Sequence, residues 1–290
     1  MLVNNYRISL IAEIGINGNG DLPTVFKLID VAAELGWDVV KFQKRHISET
    51  YTQEELDSYR ESLWGTTFRE QKEGLEFSIE DYEKIDIHAQ KRSISWTASP
   101  WDIQSLNFLV RNFKLPYIKI PSALVTNYDY LLECCGTGLP LHVSTGMSDM
   151  RLIEKVVNTI IMNNGKIECL YHCTSTYPSK PEELNLFAIP ILQSAFPSIH
   201  IGYSGHEKGI STSVMAAVLG ARAIERHVTL DRAMYGSDQS ASLEPKGMAT
   251  LIRDVRTWEK AKGDGRIKVY DSELPIIKKL RKVKNLPDTD

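Results

Sequence analysis

The feature that most constrains the fold is an alternation of two apolar periods. A short β-rich run followed by a longer run with helical spacing recurs eight times along the chain. Residues 7–15, 38–43, 95–99, 117–122, 139–145, 167–174, 200–204 and 223–229 read as strands. Residues 22–35, 78–92, 103–112, 128–135, 150–163, 186–196, 210–219 and 245–261 read as the helices that follow. In the first helix Val25, Leu28, Ile29, Ala32 and Ala33 share one face and Gly36 stops it, while Ser78 and Asp81 give the second a start resembling a capping box. The strands are short, apolar and not strictly alternating, as strands covered on both faces are. Strands alternating with helices predict a parallel sheet, and eight units predict an α/β (β/α)8 TIM barrel. A doubly wound sheet with extra strands is the alternative. Residues 1–265 are expected to form the barrel catalytic domain and residues 266–290 a C-terminal extension.

Barrel enzymes carry their chemistry where strands leave the C-terminal rim, and here those positions are polar: Glu13 and Asn17, Lys41 and Gln43, Ser99, Lys119 and Ser122, Ser144, His172 and Ser175, Ser204 and His206, Glu225, Arg226 and His227. Taken singly, each has an ordinary structural reading, a lysine paired with a carboxylate or a histidine bonded in the core. Together, two lysines and several hydroxyls converge on one rim. A buried ammonium is costly without an anion, and phosphate or carboxylate held by charge-assisted hydrogen bonds is the economical partner. His206 and His227 lie on strands ~4.8 Å apart, within reach of one metal ion, and Asp238 can add a carboxylate. Such a set suits Mn²⁺, Fe²⁺, Co²⁺ or Zn²⁺.

Two connections are long, residues 44–77 and 231–243, where ~2–6 residues are usual. The first carries Tyr51, Tyr59, Trp64 and Phe68 and reads as a lid or as a surface excursion with a helix near 53–63. The net charge of −3 argues against nucleic-acid binding. No apolar run reaches the ~18 residues a membrane span needs, and residues 1–7 lack the pattern of a signal peptide. Cys134, Cys135, Cys169 and Cys173 have no zinc-knuckle spacing and read as reduced, buried thiols. A cytoplasmic location is expected.

The ordered motifs Ile11-Ala12-Glu13-Ile14-Gly15-Ile16-Asn17, Val40-Lys41-Phe42-Gln43, Tyr117-Ile118-Lys119-Ile120-Pro121-Ser122, Ser144-Thr145-Gly146-Met147, Gly202-Tyr203-Ser204-Gly205-His206 and Glu225-Arg226-His227 resemble those of the sialic acid synthase family. Members of that family condense phosphoenolpyruvate with a sugar aldehyde and release phosphate. The resemblance implies that Lys41, Lys119, Ser122, Ser144 and Ser204 hold phosphoenolpyruvate, with Ser99 in place of the usual threonine. It implies that His206 and His227 bind a divalent metal with Asp238 nearby, Mn²⁺ first and Mg²⁺, Co²⁺ or Zn²⁺ as alternatives, and that Glu13 contacts the aldose. Asn17, Gln43 and Ser175 complete the expected substrate contacts.

The departures fall on the acceptor side. Leu124 stands where the family has an acid, Ser175 where it has an asparagine, Gly205 where it has an aspartate and Gln239 where it has a histidine. The small antifreeze-like domain that usually follows is not expected in this sequence. The implied assembly is a homodimer, with a separate protein as a possible completion of the acceptor site. A metal-dependent aldolase or lyase of the same barrel class, and a non-catalytic barrel needing a partner, remain alternative readings.

Overall fold

The computed structural model describes residues 7–281. Residues 1–6, part of the stretch read for a signal sequence, and residues 282–290 of the extension lie outside the described residues.

Eight strands form one parallel sheet: β1 (Ser9–Glu13), β2 (Val39–Lys44), β3 (Ser95–Pro100), β4 (Ile118–Ile120), β5 (Pro140–Ser144), β6 (Lys166–Cys173), β7 (His200–Gly205) and β8 (Ala223–His227). Their order is β3-β2-β1-β8-β7-β6-β5-β4. The two end strands lie side by side, so the sheet curls into a nearly closed (β/α)8 barrel. At that seam the Thr97 hydroxyl donates to the Tyr117 carbonyl at 2.7 Å, supplying a side-chain bond between β3 and the residue entering β4.

Each strand is followed by a helix that buries its apolar stripe on the outside of the barrel. The first, Leu22–Leu35, begins where Asp21 accepts the Thr24 N–H, and ends at Gly36, whose φ of 85° is the left-handed conformation a glycine adopts without strain. Its buried residues Val25, Leu28 and Ile29 join the main core with Leu10 and Ala12 of β1. Each such aliphatic side chain contributes about 1.5–3 kcal/mol by leaving water.

Because strand side chains alternate, the remaining residues of each strand point into the barrel. Ile11, Val39, Tyr117, Cys169, Tyr171 and Ala223 pack into a separate apolar plug there. One step further along the same strands the inward residues become Glu13, Lys41, Lys119 and Glu225. The plug is therefore the floor on which the polar rim stands. Arg226, between two inward residues, faces the other way. It is buried outside the barrel, where its guanidinium donates to Glu207, Ser213 and the Gly209 carbonyl. All four cysteines are buried and free.

The connection after β2 differs from the expected helix over 53–63. The helix Gln53–Asp57 stops, a two-stranded hairpin (Tyr59–Ser62 and Gly65–Thr67) follows, and a further helix spans Phe68–Leu75. Thr52 with Glu55, and Thr67 with Glu70, form complete capping boxes that start these two helices afresh on either side of the hairpin. This connection meets the one after β8: Trp64 packs edge-on against Tyr235 at 5.8 Å, and Gln71 Nε2 donates to the Tyr235 hydroxyl at 2.7 Å. Beyond the last barrel helix, Pro245–Ala261, the chain carries a short exposed helix, Leu274–Leu280.

Candidate active site

The C-terminal mouth of the barrel opens into a cavity of about 220 Å³ whose wall includes Glu13, Lys41, Gln43, Ser99, Lys119, Ser122, Ser144, Ser175, Ser204, His206, Glu225 and His227. All of these except Glu225 are expected substrate, metal or catalytic residues. Asn17 and Asp238 are not part of the wall. Asn17 is fully buried, and its amide donates to the Val228 carbonyl and the Ser242 hydroxyl, tying the chain after β1 to the chain after β8. Asp238 stands behind His227, its Oδ2 3.7 Å from Nδ1.

The two lysines meet partners that the sequence pattern does not assign. Lys41 Nζ lies 2.6 Å from Glu13 Oε2 and 3.7 Å from Glu225 Oε1, and donates to the Ser99 hydroxyl at 3.1 Å. Lys119 Nζ donates to both oxygens of Glu225 at 3.0 and 3.2 Å and sits 4.4 Å over the Tyr171 ring. Glu225 also accepts from Ser204 at 3.2 Å. Two ammonium groups and two carboxylates thus cancel within the barrel. Burial works against both charge types, yet the charges prevail. Burial would raise the Glu225 carboxyl, but Lys119 and Lys41 hold it down to about 2. Burial would lower Lys41, but Glu13 and Glu225 raise it. Glu13 and Glu225 are thus the resident counter-ions of the two lysines, the structural pairing open to each lysine taken singly.

Hydroxyls crowd the opposite wall. Ser122 Oγ accepts the Gly146 N–H at 3.0 Å and lies 3.4 Å from Cys173 Sγ. A Cβ on Gly146 would stand 2.3 Å from Ser175 Oγ and 2.8 Å from Ser122 Oγ, so only glycine lets these two serines close on the chain after β5. Leu124 does not fill the cavity in place of the family's acid. It packs against the outer core while Ala123 forms the wall.

His206 and His227 face each other with ring centroids 5.7 Å apart, and Tyr177 packs on both. His206 Nδ1 donates to the Thr174 carbonyl at 2.8 Å, which leaves Nε2 as a lone-pair donor. Burial, then the neighbouring His227, lowers His206 to about 4, so it is neutral as a ligand must be. His227 Nδ1 is buried without a hydrogen-bond partner. The chemistry of this pair fits a divalent ion bound by two imidazoles. Among the described residues no preassembled group of three metal-binding side chains exists. His172, also noted at the rim, instead bonds the Leu184 carbonyl.

Sequence reasoning missed Tyr177, Trp101 and Cys173 of the wall. None follows a strand-end polar pattern, and Tyr177 reaches the site only because its loop folds back. Glu225 stands out at the rim from sequence but receives no role there, although it is two positions before His227 and must share its face of β8.

Residues 28–267 match the model of the NeuB family. Over 275 residues the chain is 40% identical to the N-acetylneuraminate-9-phosphate synthase of Homo sapiens, covering 94% of this chain and 76% of that protein. Over 278 residues it is 36% identical to the N,N'-diacetyllegionaminic acid synthase of Campylobacter jejuni, covering 94% and 83%. Among solved structures it resembles the N-acetylneuraminic acid (sialic acid) synthetase from Leptospira borgpetersenii in complex with citrate, with a TM-score of 0.82, 29% identity and coverage of 98% and 97%. A truncated 3-deoxy-D-arabino-heptulosonate 7-phosphate synthase from Thermotoga maritima shares the fold at a TM-score of 0.66 and 17% identity.

Proposed function

Since this chain belongs to the NeuB family, we propose that it is a transferase of carbohydrate biosynthesis that condenses phosphoenolpyruvate with an aldose to give a nonulosonate-like 3-deoxy-2-keto sugar acid and phosphate. The observation that carries this reading is the union, in one cavity, of two lysines and five serines beside a facing pair of neutral-capable imidazoles.

Lys41 and Lys119, with the hydroxyls of Ser99, Ser122, Ser144 and Ser204, hold the phosphate and carboxylate of phosphoenolpyruvate, and Ser175 adds a further substrate contact in the same wall. Its anionic groups compete with Glu13 and Glu225 for the ammonium donors, so the serines supply the uncharged share of the binding. C3 of phosphoenolpyruvate attacks the aldehyde carbon, and the carbonyl electron pair moves to oxygen, which takes a proton. Water adds at C2 and loses a proton; the bond from C2 to the phosphate oxygen then breaks with the electron pair leaving on phosphate, and the C2 hydroxyl gives up its remaining proton as the ketone forms. The fixed lysines stabilise the departing charge without reorganising. Glu13, held by Gln43 at 2.8 Å and by Lys41, faces the acceptor and orients its hydroxyls. His206 and His227, with Asp238 beside them, would hold a divalent ion, Mn²⁺ first and Mg²⁺, Co²⁺ or Zn²⁺ otherwise, and such an ion would supply Lewis acidity at the aldehyde oxygen.

The same reading carries a cytoplasmic homodimer with residues 1–265 as the catalytic domain and 266–290 as an extension. No helix among the described residues is long and apolar enough to cross a membrane. Incubation with phosphoenolpyruvate, Mn²⁺ and a panel of C4–C6 aldoses tests the activity. Release of inorganic phosphate dependent on one aldose is expected, and no release with any of them would overturn catalysis by this chain alone. Sedimentation tests the dimer.

A further inference from the structure

Beside Lys119 lies a buried histidine that the reaction above does not use. His142 is the register partner of Lys119 across β4 and β5. Its neighbours Leu141 and Val143 join the outer core, so His142 faces into the barrel. Its ring stacks on Tyr117, with centroids 3.6 Å apart and planes 10° from parallel. Nδ1 is 2.9 Å from the Tyr171 hydroxyl, and Nε2 is 3.2 Å from Glu168 Oε2. Glu168 lies near the start of β6, the end of the barrel opposite the cavity, and its side chain is 45% exposed. A local irregularity aims it. Leu141 pairs with Ile167 but His142 pairs with Cys169, which leaves Glu168 over, and such a slip re-aims a side chain.

The partners settle where the protons sit. Burial lowers His142, so its ring is neutral at pH 7. The bond from His142 holds the Glu168 carboxyl below its ordinary range, so it is ionised. A carboxylate only accepts, so Nε2 carries the ring proton and Nδ1 is left as an acceptor. Burial holds Tyr171 well above its ordinary range, so its hydroxyl keeps its proton and donates it to Nδ1. The line therefore runs Tyr171 O–H to His142, then His142 N–H to Glu168. Bonds in such a chain polarise one another. A phenol that donates toward a carboxylate is left richer in electrons, and its ring face becomes a better partner for a cation.

That ring face carries Lys119, whose Nζ is 4.4 Å from the centroid. Two of the three ammonium donors go to Glu225, and the third is the one an anion in the cavity can use. We propose that Tyr171 is a positioning residue for Lys119, its ring fixed through His142 by Glu168, so that a carboxylate at the far end of the barrel tunes anion binding in the mouth. This rests on the role proposed above for Lys119 in holding phosphoenolpyruvate.

The test measures phosphoenolpyruvate binding by calorimetry, with Mn²⁺ present, for the unaltered protein and for Tyr171→Phe, Glu168→Ala, the two combined, and Glu168→Gln. Tyr171→Phe keeps the ring and cuts the line at the hydroxyl, whereas Glu168→Ala cuts it at the surface. Each is expected to raise the Kd about three- to fivefold. The double variant goes no further than either alone, because the line is already cut. Glu168→Gln keeps an acceptor and restores most of the affinity. Losses that multiply in the double variant, or a Kd unchanged by Glu168→Ala, overturn the proposal and leave the line as ordinary packing. Proton NMR gives a readout that needs no phosphoenolpyruvate. The ε-methylene signals of Lys119, identified by their loss in Lys119→Met, are expected to be displaced by the Tyr171 ring and to move in both single variants. If phosphoenolpyruvate is neither bound nor turned over, the condensation fails, yet displaced Lys119 signals that move in both variants still support the positioning. Signals at ordinary lysine positions, or unmoved by Glu168→Ala, overturn it.

Discussion

Lys119 and Glu225 form a two-point ion pair across the barrel interior, the ammonium 3.0 and 3.2 Å from the two carboxylate oxygens. Glu225 is the only carboxylate within ion-pair distance of Lys119 among the described residues. The pair sits just above the apolar plug, and it sets the charge that the rest of the site is built around.

Glu225→Gln therefore leaves Lys119 buried without a counter-ion. A loss of about 3–5 kcal/mol is expected at pH 7, the usual cost of breaking a buried pair from one side, together with loss of phosphate release. The difference also depends on pH. The folded carboxyl is held down to about 2 from its ordinary 4.5, so its contribution is full above pH 4.5 and fades as pH falls toward 2. Denaturant unfolding at pH 7 and at pH 3.5 checks this: the gap between the two proteins narrows in acid.

Gly146→Ala places a methyl group 2.3 Å from Ser175 Oγ and 2.8 Å from Ser122 Oγ. Both serines must turn, and Ser122 leaves the position proposed to meet phosphoenolpyruvate. The KM for phosphoenolpyruvate is expected to rise by about tenfold, the worth of roughly one charged hydrogen bond, with little change in melting temperature. Steady-state kinetics and a thermal melt read the two effects separately.

Trp64→Ala removes the edge-on contact with Tyr235 that joins the connections after β2 and β8. Aromatic pairs of this kind contribute about 0.5–1.5 kcal/mol beyond their burial. Faster amide exchange across residues 231–243 is expected, with a several-fold rise in the KM for the acceptor and none in that for phosphoenolpyruvate. Hydrogen exchange followed by mass spectrometry provides the direct reading.

Lys72 titrates near pH 8, lowered first by burial and then by Arg45 and Arg60. Its charge is present below that pH and lost above it. The unfolded lysine keeps its proton up to about 10.4, so stability is expected to rise as pH moves from about 8 toward that value, where the burden of the half-buried ammonium is relieved. Lys72→Met should flatten this rise, which denaturant unfolding at pH 7.5 and at pH 9.5 reads directly.

Much of this molecule is legible from local pattern. The eight strand–helix units follow from the two apolar periods, and the polar strand ends single out the mouth. Because inward residues alternate along a strand, Lys41 and Gln43, or Glu225 and His227, are assigned to a common face by spacing alone. Arg226 is the instructive contrast: as polar as its neighbours and one residue from each, it belongs to the outer face and a different ion pair.

The amino-acid sequence by itself determined the barrel, its family and the set of side chains at its rim, since each depends on neighbours a few positions apart. Only the tertiary structure decided which charges meet. Lys119 and Glu225 are 106 residues apart in the chain, and whether a buried ammonium faces a protein carboxylate, an aromatic ring or nothing depends on distances that closure of the barrel creates. The same holds for Arg45, Lys72 and Arg60, brought together by a hairpin where a continuous helix is the local expectation. Electrostatic energy is set by separation in space and by burial, and neither is written in a local pattern.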